Sequence, residues 1–113
     1  MESLEEFLEK LEPSKEEIEA SIRRRIKHIT FAKALLYVYY LCKRDGFVYP
    51  REVAKKLKTI STQRAWQILN EMAKLNLVKK VFRGGEKVFV LSNNNPIEKW
   101  LEEAKKTIRE FGE

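Results

Sequence analysis

Apolar residues recur every three or four positions along most of this chain. Leu4, Phe7, Leu8 and Leu11 set that interval at the N-terminus, and the spacing predicts a short amphipathic helix over 2–12. Pro13 interrupts it. Ser14, with Glu17 three residues on, is the start signal of a second helix, a hydroxyl for an exposed N–H and a carboxylate reaching back. Ile18, Ile22, Ile26 and Ile29 continue one stripe. The pattern then changes: FAKALLYVYYLCK, from Phe31 to Lys43, is apolar on nearly every side, and a helix of that kind must be covered on more than one face. Lys43 and Arg44 suit the negative end of its dipole, and Asp45–Gly46 suits its stop. The spacing allows residues 14–44 to be one helix or two, with Thr30–Phe31 as the candidate kink.

Beyond Gly46 the elements are shorter. FVY (47–49) reads as a brief strand, and Pro50 as the first residue of a helix with Val53, Ala54 and Leu57 facing inward and Lys55, Lys56 and Lys58 outward. A turn over 59–61 leads to Ser61 or Thr62, either of which can cap the next helix. That helix runs to about Leu75, with Ala65, Ile68, Leu69 and Met72 on its inner face. Asn76 tolerates the left-handed backbone that ends a helix. Two β-rich runs flank Gly84–Gly85 in LVKKVFRGGEKVFVLS, a strong two-residue hairpin signal that opposes Val81 to Val88 and Phe82 to Lys87. NNN and Pro96 introduce a last helix with an apolar stripe of Ile97, Trp100, Leu101, Ala104, Ile108 and Phe111.

A chain of 113 residues suits a single core. The longest apolar run, Ala34–Cys42, is nine residues, too short to cross a bilayer. The acidic start MESLEEFLEK is no signal peptide, and one cysteine forms no internal disulfide, so a cytoplasmic location is the default expectation. Charge is more informative. The net +6 divides into −6 over residues 1–20, +13 over 21–87 and −1 over 88–113, a basic middle that points to a polyanion. Asp occurs once against sixteen Glu, and Gln twice; that Lys/Glu-rich balance is also thermophile-like and accounts for part of the lysine content.

Candidate chemistry is sparse. His28 stands alone and Cys42 sits in an apolar helix as a small core residue, so no cofactor or metal site is expected. No nucleophile–base pair, phosphate-cradling loop or carboxylate pair stands out, and catalysis is not expected. Arg23, Arg24, Arg25 and Lys27 could clamp nucleic acid, but Glu19 lies four residues before Arg23, the spacing of a helical ion pair, and carboxylate pairing is the favoured reading.

From 29 to 92 the order is helix, short strand, helix, turn, helix, two-stranded hairpin. FVYPREVAKKLK, STQRAWQILNEMAKLNLV and VKKVFRGGEKVFVLS resemble the second helix, recognition helix and wing of a winged helix-turn-helix of the prokaryotic MarR, ArsR and PadR kinds, including archaeal relatives. Asn76 stands where many such domains have Gly. The resemblance implies a mostly α fold with a small β-hairpin wing, divided as an N-terminal helical extension (1–28), a winged helix-turn-helix (29–92) and a C-terminal helix (93–113).

It further implies a sequence-specific double-stranded DNA-binding transcription regulator. Gln63, Arg64 and Gln67 would meet base edges, with Asn70 farther along the same face. Thr62 and Lys74 would hold phosphates, and Trp66 would pack on sugar or a thymine methyl. Lys79, Lys80, Arg83 and Lys87 of the wing, with Lys55 and Lys56, would brace on phosphate. Plainer readings compete: Trp66 folded back on the helix at 31–42, and lysines that protect a hairpin edge or solvate a face. The terminal stripes, Leu4, Phe7, Leu8 and Leu11 with Trp100, Leu101, Ile108 and Phe111, would build a homodimer, unless the ends fold back on a monomer. The alternative function is a winged-helix protein-interaction module in a multi-subunit complex, and a weaker one is RNA binding.

Overall fold

In the computed structural model, which describes residues 1–93 and 96–111, the chain runs α1 (Leu4–Leu11), α2 (Lys15–Arg25), α3 (Ile29–Asp45), α4 (Pro50–Leu57), α5 (Thr62–Lys74), β1 (Val78–Arg83), β2 (Glu86–Leu91), a 3₁₀ turn (Ile97–Trp100) and α6 (Leu101–Phe111). It is mostly helical, with one small antiparallel hairpin. Asn94 and Asn95, part of the NNNP signal, lie outside the described residues, as do Gly112 and Glu113. Among the described residues no helix is long and apolar enough to cross a membrane.

The region 14–44 is two helices, and the break falls at 26–28 rather than at Thr30–Phe31. Ser14 caps α2, its hydroxyl accepting from the Glu17 N–H at 3.2 Å. His28 holds the extended conformation that starts α3. Breaking there lets Ile22 and Ile26 enter the same core as Phe31, Leu35, Val38 and Leu41.

α3 has the several-sided cover that its composition demands: α6 and the 3₁₀ turn, α4 and β2 all pack on it. Trp100, expected at a dimer contact, is instead buried inside the protomer at 1% exposure. Leu101 and Ile108 are half-buried against the same core. A helix tethered to the same chain outcompetes a second molecule for an apolar face. Phe111 remains exposed.

The short elements are held by local chemistry. Val48 exchanges both backbone hydrogen bonds with Phe89, at 2.8 and 3.0 Å, so the FVY segment adds a one-residue bridge to the hairpin. Glu52 accepts from the Tyr49 N–H at 3.3 Å at the start of α4. Lys58 (φ 64°) ends α4 in the left-handed region. Ser61, not Thr62, caps α5, accepting from the Arg64 N–H at 3.1 Å. Ala65, Ile68, Leu69 and Met72 are buried. Asn76 (φ 62°) closes that helix in the left-handed region, and the Leu77 N–H donates to the Met72 carbonyl at 2.9 Å, the hydrogen-bonded stop expected at a helix end. Gly84 (φ 58°) and Gly85 (φ 82°) make a turn with two positive φ values, which matches the right-handed strand twist. The register pairs Val81 with Val88 and Phe82 with Lys87.

α1 is different. Its cap is sound, with Ser3 accepting from the Glu6 N–H at 3.1 Å, yet none of its residues is buried. The radius of gyration is 15.2 Å, against about 13 Å for a compact chain of this length. The excess fits a helix that stands off the body.

Candidate nucleic-acid interface

Burial of Ala65, Ile68, Leu69 and Met72 fixes the rotation of α5. Thr62, Gln63, Arg64 and Gln67 are consequently exposed on its N-terminal half, where the Arg64 Nη1 donates to Gln67 Oε1 at 3.3 Å. Asn70 is half-buried and Lys74 exposed. Lys74 borders a groove against α2, with Pro13, Ser21 and Arg24, and so sits apart from the residues at the start of the helix.

Trp66 is half-buried. Its ring meets Phe89 of β2 edge-on, with centroids 5.6 Å apart and planes at 66°. The Lys80 ammonium lies 6.0 Å from the Trp66 ring and 5.9 Å from that of Phe89. An aromatic thus ties α5 to the hairpin and holds a cation beside it.

The hairpin's basic residues divide between two faces, because side chains alternate along a strand. Lys80 and Phe82 share one face with their cross-strand partners Phe89 and Lys87, the face that Trp66 meets. Lys79 and Arg83 lie on the other face, with Val81. Arg83 stacks over Phe47 at 4.4 Å. The four cations that the sequence places around the Gly84–Gly85 tip therefore flank the hairpin on both sides. Lys55 and Lys56 are exposed on α4, but Lys56 lines a groove shared with α3 and α6 rather than the α5 face.

A cleft of about 340 Å³ lies between α4, α5 and the hairpin, lined by Tyr49, Pro50, Arg51, Thr62, Trp66, Glu86 and Lys87. Arg51 stacks on Tyr49 at 4.1 Å and reaches Glu86 at 3.6 Å, fastening the hairpin to α4. Sequence reasoning missed Tyr49 as a lining residue of this cleft, and Phe47 and Phe82 as aromatic partners of the hairpin cations Arg83 and Lys87. Phe82 is 72% exposed with the Lys87 ammonium 5.9 Å from its ring. Its outward position was available from the register, since Phe82 opposes a lysine next to the turn.

Several cations elsewhere are paired, although Arg24, Lys33, Lys55, Lys56 and Lys74 form no ion pair among the described residues. Arg23 pairs with Glu19 at 3.7 Å, and Arg25 with Glu71 of α5, where Nη2 donates to Oε2 at 2.8 Å. Lys99 donates to Glu19 at 2.7 Å; that hydrogen bond, ahead of the nearby Lys15 and Arg23 charges, holds the Glu19 carboxyl below its ordinary pKa. Arg44 grips Asp45 with two bonds, at 3.0 and 2.8 Å, and lowers that carboxyl likewise. By contrast, among the described residues Arg64, Lys79, Lys80, Arg83 and Lys87 form no ion pair. Cys42 is buried and its thiol lies 3.8 Å from the Phe89 carbonyl. Burial, reinforced by Glu52 and Asp45, pushes it up to about 12, the opposite of a reactive thiol.

No family model matches this chain, and comparison with curated proteins and solved structures yields no match either.

Proposed function

We propose that this protein is a winged helix-turn-helix that binds double-stranded DNA as a homodimer and regulates transcription, with α5 as the recognition helix and β1–β2 as the wing. One observation carries the reading: Gln63, Arg64 and Gln67 are exposed at the start of α5, beside a hairpin whose Lys79, Lys80, Arg83 and Lys87 form no ion pair among the described residues. Unpaired cations beside exposed Gln and Arg side chains complement phosphates flanking a groove. Arg64 and Gln67, already in contact, suit guanine and adenine edges. Lys80, Arg83 and Lys87 suit the backbone on either side of the wing.

The competing reading, a protein-docking module, has Phe82 in its favour, since a largely exposed aromatic is a common protein-contact residue. Titration of random duplex DNA at rising salt separates the two. A DNA binder making about six to ten phosphate contacts loses ~10³–10⁵ in affinity between about 50 and 200 mM salt. Weak binding with a flat salt response contradicts the DNA reading and favours docking.

A further inference from the structure

α1 carries Leu4, Phe7, Leu8 and Leu11 exposed at 71%, 51%, 49% and 64%, with Glu5 and Glu9, four apart, down one flank of that stripe. A capped helix with an apolar face in water lacks its partner. The same chain carries a surface of opposite character. Leu36 and Tyr40 of α3, Leu57 of α4 and Ile108 of α6 line a groove of about 520 Å³, together with the exposed Lys33 and Lys56. No α1 residue lines it. An acidic amphipathic helix and an apolar groove bordered by lysines are complementary in both hydrophobicity and charge.

We propose that α1 of one copy seats in the α3–α4–α6 groove of a second copy, and that the second copy returns its own α1 to the first. Leu4, Phe7, Leu8 and Leu11 cover the apolar floor, and Glu5 and Glu9 face Lys33 and Lys56. Reciprocity follows from size. A helix of eight residues is about 12 Å long, too short alone for the roughly 800 Å² per partner of a standard interface. A two-fold exchange doubles the contact at no further structural requirement. The proposal rests on the homodimer in the reading above and not on DNA binding.

Two exposed-surface variants test it in the absence of DNA. The first carries Glu5→Lys and Glu9→Lys, the second Lys33→Glu and Lys56→Glu, with circular dichroism to confirm an unchanged fold. Wild type is expected to sediment as a dimer. Each variant alone is expected to raise the dimer dissociation constant at least about tenfold, because each helix then meets a groove of its own sign. An equimolar mixture restores the dimer, since every helix again meets an opposite groove. A monomeric wild type, a groove variant that stays dimeric on its own, or a mixture that stays monomeric would each overturn the exchange. The second of those results would indicate α1 packing on α1. Failure here with salt-dependent DNA binding intact leaves the DNA reading standing.

Discussion

Among the described residues Arg64 and Lys80 both lack a carboxylate partner, yet their settings differ. Arg64 sits in the first turn of α5 beside Gln67, where a planar guanidinium can bind a base edge with two parallel bonds. Lys80 lies over the Trp66 and Phe89 rings, held toward whatever α5 faces. Arg64→Ala is expected to relax sequence preference and weaken the preferred site by about 1–3 kcal/mol. Lys80→Ala should weaken all sequences alike and reduce the salt slope by about 1. Parallel titrations of matched and scrambled duplexes read both effects. Cys42 permits a prediction of the opposite kind: its buried thiol, pushed up to about 12, stays protonated at pH 8. It should resist alkylation in the folded protein and react fully in denaturant, as mass spectrometry would show. At this scale the sequence was informative about type and poor about neighbours. Asn76 and Gly84–Gly85 declared their backbone conformations through chemistry local to each residue. The contact of Arg25 with Glu71 joins positions 46 apart, and no local pattern encodes it.

Periodicity placed α1, α5 and α6, because an apolar stripe leaves a regular trace in the chain, but it left 14–44 open between one helix and two. The boundaries that moved are those set by tertiary packing. The α2–α3 break lies at 26–28 since Ile22 and Ile26 must reach a core built by α3 and α6. The α6 stripe was legible, but its partner was not: an apolar stripe looks the same whether it covers its own chain or another. Trp100 decides the matter through its burial. Trp100→Ala is expected to lower unfolding stability by about 3–5 kcal/mol in chemical denaturation, with most of the loss seen at every protein concentration, as for a core residue and unlike a dimer contact. Glu19 links α2 to the 3₁₀ turn through Lys99. Its carboxyl is held below the ordinary value of 4.5, so the stability it contributes is present above that pH and is lost as pH falls through the lowered value. Glu19→Gln should therefore melt earlier than wild type at pH 7, and the gap should narrow as acidification passes the lowered carboxyl value.

Across the whole molecule, charge and shape divide the surface. The acidic N-terminal stretch stands off in α1, Arg25 and Lys43 pair with carboxylates of other elements, and five cations that form no ion pair among the described residues lie on the hairpin and at the start of α5. The −6, +13 and −1 partition of the chain foreshadowed that arrangement. What it could not foreshadow is which positive residues are neutralised by folding, since that depends on carboxylates brought from other elements. The part of that remainder that lies beside the exposed side chains of α5, rather than the net charge, supports the assignment of a DNA face. Amide shift mapping during titration with duplex DNA tests that assignment most directly. The account predicts perturbations concentrated over 62–70 and 79–87, growing weaker as salt rises. Shifts confined to α2 and α6, or none at all in low salt, would contradict it.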